Sequence, residues 1–336
     1  MSRHANVPVF VPHMGCPHRC SFCNQHVISG SVRPPGPEQV KTLCEQARKS
    51  LGKRMYSAQL AFFGGSFTAI DRGYRLALLE AARPFVGEAG FAGIRVSTRP
   101  DCIDEGDLAE LGSCGVTAVE LGVQSMCDKV LAANNRGHTA ADTRRAAALI
   151  KGAGMELGLQ MMTGLHGDDD EIALETARQI IGLSPGTVRV YPTVVLEGTG
   201  LARLWRDGTY MPQTLEQAVE LGARLLELFD NAGIPVIRLG LHDQDGLLEE
   251  VLAGPHHPAL RELCEGRLML DRALAALRQS GIASGSAVLR AHPRCISRMV
   301  GQRRCNIRRL ESAEYRVHVV RDADVGYLVV KALPGP

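Results

Sequence analysis

The sequence predicts an α/β protein: a partial (β/α)6 barrel followed by a small C-terminal α/β domain. Three observations point there. Apolar, strand-like runs alternate with helical patterns over the first two-thirds of the chain. Polar and glycine-rich signals fall after the C-terminal ends of those runs, where α/β barrels carry their chemistry. Near residue 283 the pattern changes and arginines crowd together. The expected organisation is a barrel over 1–240, a helical connector over 241–282 and a basic domain over 283–336.

The strand-like runs are 7–11, 59–63, 94–97, 117–123, 156–162 and 187–191. Helical patterns lie between them at 38–51, 74–85, 105–111, 140–151 and 171–181. This alternation implies a parallel sheet with outer helices, closed part-way into a barrel or doubly wound. A long amphipathic helix follows at 215–230, and the run 234–239 reads as a further strand or a lid. In the tail, 287–290 reads as a strand, 296–310 as a helix, and 315–320 with 325–331 as a hairpin.

Composition narrows the class. Hydrophobic content of 45% and charged content of 22% belong to a soluble globular chain. A net charge of +2 gives no global field for nucleic acid. No apolar run is long enough to span a bilayer, so no membrane partner is expected. The N-terminus, Met1-Ser2-Arg3-His4, lacks the apolar core of a signal peptide. Ten cysteines in such a chain read as reduced thiols, and the expected location is the cytoplasm.

Cys16, Cys20 and Cys23 are spaced C-x3-C-x2-C on the loop leaving the first strand. The spacing is too tight for a disulfide framework and suits a metal. Thiolates hold iron–sulfur clusters or zinc. Three thiolates on a four-iron cluster leave one iron open to a substrate or cofactor. The competing reading is a Cys3His zinc site completed by His13, His18 or His26.

The motif, with Phe22 before its last cysteine, resembles the signature of the radical S-adenosylmethionine (SAM) superfamily. The resemblance implies a 4Fe–4S cluster whose open iron chelates SAM. Reductive cleavage would then give a 5′-deoxyadenosyl radical, with an electron donor such as flavodoxin or ferredoxin. Phe22 would pack near the adenine.

Further signals follow the later strands: Gly64-Gly65, Thr98-Arg99-Pro100-Asp101, Glu120-Leu121-Gly122-Val123-Gln124-Ser125, Asn135-Arg136-Gly137-His138-Thr139, Gln160 before Met161-Met162-Thr163-Gly164, and Tyr191-Pro192-Thr193. By themselves they read as close-approach turns, a forked donor for a carboxylate or phosphate, and helix caps at Asp101 or Asp104 and at Thr139 or Asp142. As a set, over roughly residues 8–240, they resemble the radical-SAM half of the Elongator catalytic subunit, which modifies the wobble uridine of tRNA. That resemblance implies that Cys16, Cys20 and Cys23 ligate the cluster and that Gly64 and Gly65 contact SAM's amino group. Gln124, Arg136 and Gln160 would line its ribose and carboxylate, and Tyr191 would face the active cavity. Ser97 stands where Elongator has a glutamate, and Gln160 where relatives carry histidine or aspartate. No Q-x-x-G-x-G/A acetyl-CoA signature is present, so no acetyltransferase reaction is expected of this chain.

The segment 296–307 resembles the helix–loop–helix of a KH domain, with Gly301-Gln302-Arg303-Arg304 at the loop and no second glycine. Arg298, Arg303, Arg304 and Arg308 are the candidate RNA contacts; the alternative is a solvated basic face. RNA, tRNA above all, is therefore the expected substrate. A tetrapyrrole or another metabolite, and a zinc-stabilised RNA-binding protein without activity, are the alternatives.

Overall fold

The structure is a computed structural model that describes residues 5–11, 16, 20–24, 34–241 and 250–335. The histidines proposed to complete a zinc site, His13, His18 and His26, lie outside these residues. The chain divides into two compact units, residues 1–213 with 232–256, and residues 214–231 with 257–336.

The strands of the first unit are β1 (Ala5–Val11), β2 (Ala58–Gly64), β3 (Gly93–Thr98), β4 (Val116–Gln124), β5 (Glu156–Thr163), β6 (Thr187–Pro192), β7 (Val195–Leu196), β8 (Val236–Leu239) and β9 (Val251–Ala253). Its helices are α1 (Pro37–Leu51), α2 (Arg72–Ala82), α3 (Glu105–Ser113), α4 (Asp128–Ala133), α5 (Ala140–Gly152), α6 (Asp170–Gly182) and α7 (Gly200–Arg206). One parallel sheet runs β1-β2-β3-β4-β5-β6-β8, and β7 pairs antiparallel with β9. The strand order never reverses, which excludes the doubly wound alternative with its switch point. The run at 234–239 supplies a seventh strand, so the part-barrel extends one strand beyond the six expected.

Alternation decides which face of the sheet does what. Phe62, Val96, Val119, Leu157 and Val188 share one fully buried apolar face. The helices pack on the sheet, α5 against β4 and β5 and α6 against β5. The other face carries Arg95, Ser97, Glu120, Gln160, Arg189 and Tyr191. The Arg189 guanidinium lies 4.7 Å from the Phe63 ring centroid, although β2 and β6 are four places apart in the sheet. In a flat sheet that separation would be about 19 Å. The sheet is therefore curled, and its concave face is the polar one.

Helix starts follow local chemistry. Asp104 accepts from Asp107 N at 2.8 Å and caps α3. Thr139 caps α5 in a reciprocal box with Asp142.

The second unit contains α8 (Leu215–Asn231), α9 (Leu260–Gln279), β10 (Gly285–Ala291), α10 (Ile296–Val300), α11 (Cys305–Ser312), β11 (Tyr315–Arg321) and β12 (Val330–Pro334). α9 packs on α8, α10 and β12 and buries Leu268, Met269, Ala273 and Leu277. The expected connector over 241–282 thus contains the core helix of this unit, and α8 belongs here as well. Two further expectations are corrected. The tail strands do not form a hairpin: β11 pairs parallel and β12 antiparallel with β10, which lies between them. The connection crosses the end of β10, where Asp322 N donates to Ala291 O at 2.9 Å. The helix expected over 296–310 is broken, because Gly301, Arg303 and Arg304 take φ of 76°, 49° and 60°.

Candidate active site

The cysteine segment is fastened from two sides. Ser21, between the second and third cysteines, donates its N–H to Asn134 O at 3.0 Å and its hydroxyl to Asn134 Oδ1 at 2.9 Å. Asn134 is fully buried, and its amide donates to Val130 O at 2.8 Å and His166 O at 2.9 Å. From the other side Leu201 N donates to Ser21 O at 2.7 Å, and Asn24 Nδ2 to Glu197 O at 3.1 Å. Phe22 packs against the apolar cluster of Val195, Leu201, Ala202 and Tyr210. Its ring anchors the loop to α7 and β7.

At the strand ends, Gly64 sits against β1. A Cβ there would meet Val11 O at 2.1 Å, and the φ of +128° favours glycine. Gly65 N donates to Val11 O at 3.0 Å. The paired glycines therefore bring the end of β2 against the carbonyl from which the cysteine segment departs.

Two cations flank the thiols. Arg136 Nη1 is 3.5 Å from Cys20 Sγ, and its Nη2 donates to Gly122 O at 2.6 Å. Arg99 holds Asp101 through two bonds of 2.9 and 2.7 Å and also donates to Arg136 O. His138 stays neutral because burial and the Arg136 charge push its pKa down to about 4. Its Nε2 lies 3.1 Å from Val123 O, the arrangement of a structural donor.

Cys16, Cys20 and Cys23 are free thiols. Burial raises the Cys16 pKa, against the opposing pull of a backbone hydrogen bond from Ser66 and the Arg136 charge. Burial, then the charges of Cys20 and Cys16, push Cys23 up to about 12. Such thiols ionise only when a metal replaces the proton. Among the described residues no three potential ligands gather as around a single ion. Cys23 nevertheless feels the charge of both other thiols, which suits sulfurs that each hold a different iron of one cluster. The donor set fits a 4Fe–4S group.

The remaining sequence-derived positions line the concave face. Gln124 ends β4 with φ 66°, where the β4–β5 register shifts. Its Oε1 accepts from Gln160 Nε2 at 3.3 Å. Ser97 Oγ is buried without a partner among the described residues. Tyr191 Oη accepts from Arg189 Nη1 at 3.4 Å, and burial raises its pKa. Sequence reasoning missed the charges behind them. Arg189 Nε pairs with Glu120 Oε2 at 2.8 Å across β5, with both side chains largely buried. Fully buried Arg95 donates to Gln59 at 2.8 Å and to Glu156 at 2.7 Å. The signal was present: each is a charged residue at an alternate position inside an apolar run.

After β5, Asp168 Oδ2 accepts from Gly164 N at 2.9 Å, and Tyr210 donates to Gly164 O at 2.6 Å. Burial pushes the Asp168 pKa up to about 7. This value lies above that of the unfolded chain, so stability is full below about pH 4 and is lost as pH rises through 7. Asp168→Asn keeps an acceptor for Gly164. It is expected to raise stability at pH 8 by about 2 kcal/mol, and to change it little at pH 4; urea unfolding at the two pH values checks this.

In the second unit the four candidate RNA contacts separate. Arg298 is drawn inward by buried Glu265 and also donates to Arg294 O at 2.8 Å, so it fastens α10 to α9. Arg303, Arg304 and Arg308 are exposed on the turn between α10 and α11 and at the start of α11. Arg304, which stands where the KH loop has its second glycine, takes the left-handed backbone itself. Consecutive left-handed arginines cost about 1 kcal/mol or more each.

Residues 10–180 match the Radical SAM superfamily domain, and residues 185–269 match the Radical_SAM C-terminal domain. The chain is 30% identical over 248 residues to the tRNA uridine(34) acetyltransferase of Methanocaldococcus jannaschii, covering 61% of this chain and 45% of that protein. It is 30% identical over 240 residues to human Elongator complex protein 3, covering 66% and 43%. The chain thus spans less than half the length of these two relatives. Among solved structures, the Methanocaldococcus infernus Elp3 with an N-terminal deletion shares the fold, with a TM-score of 0.61 and 22% identity over 84% of this chain and 64% of that one. No helix among the described residues is long and apolar enough to cross a membrane. The match to the superfamily domain takes in every strand from β2 to β5, the cysteine segment and the Arg136 segment, and the chain belongs to the radical SAM superfamily.

Proposed function

We propose that this chain is an enzyme that holds a 4Fe–4S cluster on Cys16, Cys20 and Cys23, cleaves SAM reductively, and modifies RNA, most specifically tRNA. The observation that carries the reading is a trio of free thiols fastened beside the C-terminal ends of a curled parallel sheet, next to the buried guanidinium of Arg136. A cluster held on these three thiolates would supply the one electron that breaks the C5′–S bond of SAM, releasing methionine and giving a 5′-deoxyadenosyl radical able to take hydrogen from a substrate carbon.

The protein's own residues bind, orient and exclude water. Gly64 and Gly65 offer close backbone approach to SAM's amino group. Gln124, Gln160 and Arg136 line its ribose and carboxylate, with Ser97 beside them, and Phe22 holds the loop next to the adenine. Tyr191 faces the substrate as a neutral phenol, since its pKa is raised by burial. The electron comes from a small donor protein such as flavodoxin or ferredoxin.

Two facts support RNA as substrate. A relative similar over 61% of the chain is named a tRNA uridine(34) acetyltransferase. The second unit presents Arg303, Arg304 and Arg308 to solvent on a turn held in a costly backbone. A triple variant, Arg303→Glu, Arg304→Glu and Arg308→Glu, is expected to lose roughly 10-fold or more in tRNA affinity at fixed salt. It should still cleave SAM without substrate. Filter binding and 5′-deoxyadenosine release measure the two separately. The identity of the substrate is tested by mass spectrometry of nucleosides from a strain lacking the protein and from its parent. Loss of one modified nucleoside supports the RNA reading; an unchanged profile moves the substrate to a metabolite.

A further inference from the structure

Arg136 is 7% exposed, and among the described residues no carboxylate pairs with it. Arg99 beside it is neutralised by Asp101, and Arg189 by Glu120. A buried cation without a counter-charge costs several kcal/mol, so something at this position must supply negative charge. Its Nη1 donates to the sulfur of Cys20 at 3.5 Å.

The aim of this guanidinium is built in from three directions. Arg136 N donates to Leu131 O at 2.9 Å, and Arg136 O accepts from Arg99. Nη2 rests on Gly122 O at 2.6 Å, and a Cβ at Gly122 would stand 2.8 Å from that nitrogen. Glycine at 122 therefore makes the space in which the guanidinium lies. Asn134, two residues earlier, ties the same segment to Ser21, the neighbour of Cys20. Donor and sulfur are thus fixed relative to each other by one stretch of chain.

We infer that Arg136 is a positioning residue for the cluster: it donates a hydrogen bond to the Cys20 sulfur and raises the cluster's reduction potential. This rests on the assignment of Cys20 as a ligand. The physical reason is charge. Reduction adds one negative charge to the cluster, and a fixed cation donating to a ligand sulfur stabilises that state more than the oxidised one. The role is separate from any contact to SAM, because among the described residues Nε of the same side chain has no partner and stays available to a second acceptor.

The test is a redox titration of the full chain, reconstituted without air and kept free of SAM, with iron and sulfide content measured on each sample. Arg136→Gln should move the midpoint to more negative potential at unchanged iron content, and Arg136→Lys should fall between it and the native protein. Gly122→Ala, which leaves the arginine in place but pushes its guanidinium aside, should shift the midpoint in the same direction. That variant decides the matter if Arg136→Gln retains less iron. Equal midpoints in native protein and Gly122→Ala, or a shift that appears only once SAM is added, would overturn the inference while leaving the cluster assignment standing. A native protein that binds no cluster would remove both.

Discussion

Cys20→Ala is expected to abolish 5′-deoxyadenosine formation altogether, and with it most of the iron-dependent absorbance of reconstituted protein. The sulfur sits beside the Ser21–Asn134 clasp and under Arg136. The fold should persist. Cys20 is 9% exposed but lies on the loop after β1, off the apolar face of the sheet that carries most of the stabilising burial. Circular dichroism should therefore show a native spectrum and a cooperative melt, while the iron assay reads close to zero. Reductive turnover of SAM by this variant would show that the ligands have been misassigned.

The largest stability effect is expected from Glu120→Ala. Glu120 is 2% exposed, and its carboxylate neutralises Arg189, which also stacks on Phe63 and donates to Tyr191. Removing one member of a buried pair leaves the other charge without compensation, a loss of about 3–5 kcal/mol. Glu120→Gln keeps an acceptor and the side-chain volume, so it should cost less. The double variant Glu120→Ala with Arg189→Met should recover part of the loss, because no unpaired charge remains. Denaturant melts of the native protein, the single variants Glu120→Ala and Arg189→Met, and the double variant form the cycle. A double-variant loss equal to the sum of the two single losses would mean that the pair has no coupling.

How much of this was legible beforehand depends on the range of the interactions involved. The first six strands were readable because each is an apolar run flanked by turn residues, and the caps could be narrowed to Asp101 or Asp104 and to Thr139 or Asp142 because they are local motifs; the structure shows Asp104 and Thr139. β8 was ambiguous, since four residues, three of them apolar, fit a strand or a lid equally well. The hairpin expected in the tail failed for the opposite reason. Two adjacent strands usually pair with each other, and only the placement of β10 between them shows otherwise. In the site, the cysteine spacing announced itself. The clasp from Asn134 to Ser21 spans 113 residues and leaves no trace in local sequence. Arg298 looked like one more surface arginine in a basic cluster until Glu265, 33 residues earlier, was found buried beneath it.

The central claim is that three thiolates hold an iron–sulfur cluster that splits SAM. The most direct measurement takes the protein prepared without air, determines its iron and sulfide, reduces it with dithionite in the presence of SAM, and quantifies 5′-deoxyadenosine and methionine. About four irons and four sulfides per chain, with both products formed in equal amount, is the predicted result. One zinc per chain, or a cluster that leaves SAM intact after reduction, would contradict it.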